Sequence, residues 1–248
     1  MTTPPVAPLP VHGTVPLRAR WEQWMQELVE NPQEVSALTS RYGSPVNVLN
    51  PAPLRHNAQE LLDAGASHDV KTRVFFARKA NKALCFVDAA RESGLGVDVA
   101  SENELRQVLE RDVAPERIIL SAAIKSDGLL RLAISRGVTI SCDSRAECGR
   151  IAAIARALET TARVAPRLAP DPDALPPTRF GERLPAWQKA EWPAELRAVG
   201  VHVHLHGYSE ADRRTALAEA IALVEHLRAK NQPANFIDIG GGVPMSYL

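Results

Sequence analysis

Three histidines alternate with apolar residues in the segment VHVHLHGYS, residues 201–209. If this segment is a strand, His202, His204 and His206 point to the same face, because successive side chains of a strand point to opposite faces. Three imidazoles on one wall could ligate a metal ion. They could equally line the pocket of an aromatic cofactor. The histidines alone leave both alternatives open.

A lysine and a run of glycines follow two other apolar segments. Lys79 ends RVFFARK, and burial there would lower its pKa and yield the neutral amine that an imine-forming nucleophile needs. The alternative is a solvated lysine at a loop mouth, a position for which Arg78 and Lys82 are better candidates. Glycines 240–242 directly follow NFIDI. Successive N–H groups of such a turn can cradle a phosphate, although a tight turn would also explain the glycines.

The metal alternative requires further ligands, and the spacing singles none out. The other histidines fall in the N-terminal leader, in predicted helices or in a loop: His12, His56, His68 and His226. Asp98 or Asp143 could serve as a carboxylate ligand, but nothing in the spacing selects them. An amine, an imidazole face and a phosphate cradle are together what pyridoxal 5'-phosphate requires.

From about residue 72 onward, β-rich segments alternate with amphipathic helical segments. The strand candidates are RVFFARK, GLGVDVA, RIILSAA, GVTISCD, ARVAPRL, AVGVHVHLH and NFIDIGG. Repeated strand–helix units predict a parallel sheet with helices outside, either a (β/α)8 barrel or an open doubly wound sheet. A closed barrel needs eight strands, and we count seven. The sheet is therefore open, or the sequence lacks the end of the barrel.

Local patterns predict the flanking elements. Ser101 and Glu104 form a capping-box pattern, and we expect Ser126 and Asp143 to cap the next two helices. Residues 18–43 repeat apolar residues at helical spacing, and residues 45–50 predict a short strand. The proline-rich residues 166–193 predict a long loop without a helix. We divide the chain into a disordered leader with an N-terminal helix, 1–37, and an incomplete barrel, 38–248.

The composition excludes several classes of function. The 29 basic and 29 acidic residues balance, which leaves no electrostatic footprint for nucleic acid or an anionic membrane. No apolar run is long enough to span a bilayer. The N-terminus has neither the basic nor the apolar region of a secretory signal. Cys85, Cys142 and Cys148 lack metal-ligand spacing. They predict reduced thiols in a cytoplasmic protein.

At this point several segments together resemble a known family. FFARKANKA resembles the Y-A-V-K-A-N segment of the barrel-type, fold type III pyridoxal-phosphate decarboxylases, which include diaminopimelate, ornithine and arginine decarboxylases. Further blocks follow in the family's order: RYGSPVNVLN, GLGVDVASENEL, IILSAAIKSDGLLRLAISRGVTISCDSRAE, RLAP with TRFG, GVHVHLHG and DIGGG. The resemblance covers residues 38–245. Several motifs in order are more specific than any one of them.

The resemblance implies an α/β fold, a TIM-type (β/α)8 barrel of the alanine racemase-like kind, with pyridoxal 5'-phosphate as cofactor. Lys79 would form a Schiff base with it, and His204 would stack on its ring; these are the implied catalytic residues. The implied cofactor-binding residues are Lys79, Asp98, Arg167, His204, Gly240, Gly241 and Gly242. Glu104 would support the lysine together with Asp98. His206, Gly207 and Ser209 are further candidates where the family usually reads H-x-G-S.

The implied activity is decarboxylation of a diaminopimelate- or ornithine-like amino acid, in a protein that is a homodimer when full-length. Family members continue into an eighth strand with an E-P-G-R block and then a C-terminal β domain. Neither follows here, so we interpret the sequence as an N-terminal fragment truncated after the seventh strand. One alternative is a non-catalytic barrel protein that binds pyridoxal phosphate. A less favoured alternative is a metallohydrolase with histidine ligands.

Overall fold

A parallel sheet forms the centre of the protein. The structure, a computed structural model, describes residues 21–207 and 209–242. Its strands are β1 (Phe75–Ala77), β2 (Gly96–Val99), β3 (Ile118–Leu120), β4 (Thr139–Cys142), β5 (Ala162–Leu168), β6 (Leu196–Ala198), β7 (Val201–Val203) and β8 (Ile237–Asp238). The sheet runs in the order β1-β2-β3-β4-β5-β7-β8, and β6 also pairs with β5. Every pairing between these strands is parallel. The strand order follows the chain, as in a (β/α) barrel rather than a doubly wound sheet.

Helices precede β1 and follow most of the strands, and they cover the outer face of the sheet. They are α1 (Gln23–Val29), α2 (Pro32–Tyr42), α3 (Ala52–Ala66), α4 (Leu84–Glu92), α5 (Glu102–Leu109), α6 (Asp127–Ser135), α7 (Arg145–Ala157), α8 (Leu184–Gln188) and α9 (Glu210–Ala229). In the described ranges, no helix combines the length and apolar character needed to cross a membrane.

Strand alternation separates an apolar outer face from a polar inner one. Val99, Leu120, Ile140 and Val164 are register partners on four successive strands, and all four are fully buried. They lie in one hydrophobic cluster with the inward faces of the helices. Because side chains alternate along a strand, the residues between them face the interior of the sheet. The polar residues of the candidate site occupy that inner face.

The sixth predicted strand is interrupted. We predicted one strand over residues 198–206, but β6 pairs with the first half of β5 and β7 with its second half. The chain is close-packed at the break, where a Cβ on Gly200 would lie 2.6 Å from the ring of Phe236. Because β7 ends at Val203, the prediction that three histidines share a strand face was wrong. His202 lies in the strand, whereas His206 lies in an exposed bend.

The N-terminal predictions were partly wrong. The helical segment is divided into α1 and α2 because Pro32 begins a new helix, with the Asn31 side chain accepting a hydrogen bond from the backbone of Glu34. Residues 45–50 form no strand. Val48 and Leu49 there are exposed, so β-rich composition alone did not produce pairing.

Two more local predictions were wrong, the first because of a long-range contact. The proline-rich loop contains α8, whose Trp187 is fully buried and donates its indole N–H to the carbonyl of Arg167 at 2.8 Å. This contact stabilises five helical residues that have no strong local pattern. Asp143 does not cap α7, since Ser144 does so by accepting the N–H of Glu147. The predicted caps Ser101 and Ser126 are confirmed.

Two lysine–glutamate ion pairs tie strand-to-helix loops to the helix that follows the next strand. Lys125, after β3, lies 2.8 Å from Glu147 in the first turn of α7, and both side chains are buried. Lys82, after β1, pairs in the same way with Glu104 in the first turn of α5. In each pair the lysine and the glutamate are 22 residues apart in the sequence. Each glutamate also accepts a hydrogen bond from a backbone N–H just before its helix. The ion pairs therefore mark a repeated unit of the barrel.

Lys125→Met should destabilise the fold, because it leaves the buried Glu147 carboxylate without its cation. We expect the free energy of unfolding to fall by about 3–5 kcal/mol in chemical denaturation. The double variant Lys125→Met/Glu147→Gln should recover part of the loss, since glutamine can still accept the N–H of Asp143. Lys71→Met, at an exposed lysine, is the control. A loss no larger than that of the control would show that the buried pair contributes nothing.

Candidate functional site

A row of polar side chains crosses the inner face of the sheet at its carboxyl end. Arg167 on β5 is the register partner of His202 on β7, which is in turn the partner of Asp238 on β8. His202 is buried and shares a hydrogen bond of 2.6 Å with Ser141 on β4. The carboxyl ends of parallel strands are where barrel proteins form their sites.

Arg167 is the buried cation of this row. Its guanidinium donates to the Asp143 carboxylate at 3.2 Å and lies 4.5 Å from the centre of the Phe180 ring. A buried charge needs a partner of opposite sign, and here the carboxylate and the ring face share that function. Arg167 therefore lies in this polar row, and Asp143 holds it there.

The buried imidazole of His202 is neutral. Burial lowers the pKa of His202 to about 4, with the positive charge of Arg167 acting in the same direction and Asp238 opposing it. The alternating histidines predicted His202 only as one of three imidazoles that ligate a metal ion or line a cofactor pocket. In the structure it connects the β4 hydroxyl of Ser141 to the charged row.

His204 contacts the glycine loop, residues 240–242. Its Nδ1 accepts the N–H of Gly241 at 3.3 Å, so in a neutral ring the proton lies on Nε2. Burial lowers the pKa of His204, and the charges of Lys79 and Arg167 lower it further. His204 is therefore a neutral imidazole beside the loop, partly open to solvent.

The glycine loop requires glycine at a defined place. Gly240 has φ +68°, and a Cβ there would lie 2.2 Å from Nδ1 of His204. Its N–H donates to the Asp238 carboxylate at 2.8 Å. A Cβ on Gly241, by contrast, would meet no heavy atom within 4 Å. The loop therefore packs tightly on His204 at Gly240 and faces open space at Gly241.

Asp98 is a buried carboxyl group at the other side of the site. Burial raises its pKa to about 6; the charge of Asp238 adds to this, and a hydrogen bond from Ser121 and the charge of Lys79 oppose it. Its Oδ1 has no hydrogen-bond partner among the described residues. An unpaired buried oxygen close to a lysine is a place where a ligand can supply the missing partner.

Of the two alternatives for Lys79, the structure shows the solvated one. Its side chain is exposed, whereas Arg78, which we had offered as the better candidate for a solvated position, is 1% exposed. The turn after β1 directs Arg78 inward, where it donates to backbone carbonyls of the same turn and to the Gln107 side chain. Lys79 is thereby left at the rim, within electrostatic range of Asp98 and His204.

The remaining candidates lie at the edge of the site or outside it. Glu104 is buried but pairs with Lys82, not with Lys79. His206 and Gly207 are exposed, and Ser209 caps α9 by accepting the N–H of Asp212. Sequence patterns did not indicate the site roles of Ser141 and Asp238 or the pairing of His202 with Ser141. Each of these residues lies one position from an apolar strand residue, and that alternation was the available signal.

The donor set fits an organic phosphate better than a metal ion. In residues 21–207 and 209–242, no three histidine, cysteine or carboxylate side chains lie close enough together to hold a metal. The site instead offers an exposed amine on Lys79, the orphaned oxygen of Asp98, the neutral ring of His204 and the open side of the glycine loop. These groups match the aldehyde, ring and phosphate of pyridoxal 5'-phosphate.

Asp98→Asn should remove a pH-dependent loss of stability. The pKa of Asp98 in the folded protein, about 6, lies above the ordinary 3.8. Protonation of Asp98 therefore stabilises the folded wild type below pH 3.8, and this stabilisation is lost as the pH rises through 6. At pH 7.5 the variant should be more stable by on the order of 2 kcal/mol. The difference should shrink towards pH 4 in denaturation series. A difference that does not change with pH, or an equal effect of the exposed control Asp173→Asn, would contradict the assignment.

Gly240→Ala should destabilise the chain without any ligand present. The added Cβ meets His204 and the residue must keep a positive φ, so we expect a loss of at least about 1–2 kcal/mol in the free energy of unfolding. Gly241→Ala is the matched control and should change it by about 0.5 kcal/mol or less. Equal losses in both variants would mean that the His204 contact is not what requires glycine.

Comparison with known proteins finds relatives that cover most of the chain. A diaminopimelate decarboxylase from Zymomonas mobilis is 29% identical over 229 residues, which are 85% of this chain and 54% of that protein. A crystal structure of AQ1208 from Aquifex aeolicus aligns with a TM-score of 0.70 at 26% identity, covering 84% of this chain and 51% of that one. Diaminopimelate decarboxylase from Helicobacter pylori, complexed with L-lysine, aligns with a TM-score of 0.64 at 26% identity over 71% and 49%.

The chain spans about half the length of the curated relatives that it matches. The structural alignments confirm the predicted barrel architecture. Residues 55–248 match the family described as pyridoxal-dependent decarboxylase, pyridoxal binding domain. This match confirms the predicted cofactor, pyridoxal 5'-phosphate. The chain belongs to the pyridoxal-dependent decarboxylase family and contains its pyridoxal binding domain.

Proposed function

We propose that this chain is the cofactor-binding part of an enzyme that decarboxylates an amino acid, with Lys79 as the residue that binds the cofactor covalently. The observation that carries the proposal is the exposed Lys79 amine at the carboxyl end of the sheet, within electrostatic range of both Asp98 and His204. An exposed amine can reach an incoming aldehyde.

The other residues would bind and orient the cofactor. Bound pyridoxal phosphate supplies an electron sink for the electron pair that remains when the carboxylate of an amino acid leaves. The backbone of Gly240, Gly241 and Gly242 would hold the phosphate. Arg167, whose charge is already balanced by Asp143, would line the site without adding a free cation.

The neutral state of His204 suits a stacking role. A protonated imidazole against a pyridine ring that carries positive charge would add repulsion in a partly buried place. Burial, Lys79 and Arg167 all lower the pKa of His204. The ring can therefore cover the face of the cofactor and exclude water from it without adding charge.

Asp98 would act beneath the cofactor as a carboxyl group that changes charge near neutral pH. Its pKa of about 6 lets small changes in nearby charge alter its protonation. The positive charge of Lys79 lowers the pKa of Asp98, so Asp98 would be protonated more readily once that charge is lost. Asp98 can thus accommodate loss of the lysine charge.

We propose a substrate of the diaminopimelate or ornithine kind, an amino acid with a second polar end. The relatives that support this are named as diaminopimelate decarboxylases, and one is complexed with L-lysine. A homodimeric assembly and a cytoplasmic location are further parts of the proposal. So is the division into residues 1–37 and a barrel over 38–248.

The test is to map the cofactor adduct on the full 248-residue chain. The protein is mixed with pyridoxal phosphate, reduced with borohydride, digested and analysed by mass spectrometry. We expect one dominant modified lysine, Lys79, and its loss in Lys79→Ala. Lys82→Ala, at the neighbouring lysine that pairs with Glu104, is the control and should keep the label on Lys79. Release of CO2 from diaminopimelate, ornithine, lysine and arginine then tests the activity.

Two outcomes count against the proposal. Labelling scattered over Lys82, Lys125 and other lysines would show that Lys79 does not bind the cofactor covalently. Labelling of Lys79 without CO2 release from any of the four amino acids would favour a barrel that binds pyridoxal phosphate without catalysis.

A further inference from the structure

Arg213 binds the glycine loop from the side of α9. One of its guanidinium nitrogens donates to the carbonyl of Ile239 at 3.4 Å. The other donates to the carbonyls of Gly241 and Gly242 at 3.0 and 2.8 Å. The arginine lies in the first turn of α9, 26 to 29 residues before the atoms that it contacts. One side chain thus forms hydrogen bonds along the length of the loop.

These contacts orient the N–H groups of the loop. In a trans peptide the carbonyl and the following N–H point in opposite directions. Because the Gly241 carbonyl faces Arg213, the N–H of Gly242 points away from it. The N–H of Gly240 is bound by Asp238 and that of Gly241 by His204. Arg213 therefore occupies the carbonyl side of the loop, and the N–H of Gly242 is the one directed to the site without one of these partners.

The charge of Arg213 is not balanced by a close carboxylate. Throughout the described ranges, no aspartate or glutamate oxygen lies within 4.0 Å of its guanidinium nitrogens, in contrast to Arg150, Arg156 and Arg183. The charge reaches His204 and contributes to lowering its pKa. A guanidinium hydrogen-bonded only to carbonyls keeps its positive potential at the loop.

We propose that Arg213 is a positioning residue for the phosphate of the cofactor. It holds the glycine loop in the conformation that directs the N–H of Gly242 to an anion, and it adds positive potential behind the loop. This inference rests on the proposed function, in which the loop binds that phosphate. It predicts that Arg213 affects the phosphate end of the cofactor and leaves the reaction of Lys79 with the aldehyde unaffected.

The test compares two ligands that differ in the phosphate alone. The full chain and its variants are titrated with pyridoxal phosphate and with pyridoxal, and binding is followed by absorbance. Arg213→Ala should weaken the affinity for pyridoxal phosphate about tenfold or more, and that for pyridoxal less than about twofold. Arg214→Ala is the matched control, because that neighbouring arginine is exposed, and it should behave as wild type.

The ratio of the two affinities separates positioning from general damage. If Arg213→Ala does not unfold cooperatively, Arg213→Gln removes the charge while it keeps one donor, and the same reduced preference for the phosphate ligand is expected. Equal losses of affinity for both ligands, which leave the ratio of the two affinities unchanged, would overturn the role of Arg213. If the wild type discriminates between the ligands but labels no lysine at position 79, the covalent role of Lys79 in the proposed function fails and Arg213 stands. A wild type that binds neither ligand refutes both.

Discussion

The site depends on the parallel register that aligns Arg167, His202 and Asp238 across three strands. Burying a guanidinium and a carboxylate is costly unless opposite charges and hydrogen bonds match them. The register places Asp143 3.2 Å from Arg167 and sets a neutral imidazole between the cation and Asp238. A shift by one residue would send all three side chains into the apolar outer face. The polar row and the hydrophobic cluster therefore require the same pairing.

Two lysines at the rim of the barrel are likewise paired with carboxylates. Lys82 and Lys125 occupy equivalent loops, and each is bound by a glutamate in the first turn of a following helix. These ion pairs tie the loops to the helices and neutralise two of the cations near the carboxyl ends of the strands. Lys79 lies three residues before Lys82 and does not share its glutamate. The arrangement leaves one lysine amine at the rim accessible to a ligand.

Local pattern predicted much of this, and contacts between distant segments account for several of the errors. The alternation of strands and helices, the caps at Ser101 and Ser126 and the glycine loop are local features, and the sequence predicts them well. The exposure of Lys79 depends on Arg78 finding partners as far away as Gln107. The helix at Trp187 and the break before β7 likewise depend on contacts with segments 20 to 36 residues away. No local pattern encodes such contacts, which is also why Arg213 escaped notice.

His204 and the glycine loop stabilise each other through a hydrogen bond that requires Nδ1 of the imidazole to be unprotonated. Gly241 donates to Nδ1 of His204, so protonation at that nitrogen would break the contact. The cations around the ring oppose that protonation, and Arg213 holds the same loop from its other side. Gly240 allows the close approach that brings ring and loop together. The neutral imidazole therefore supports the loop and, in the proposed function, would also be the surface for an aromatic ring. A change in the loop should change the pKa of His204 as well.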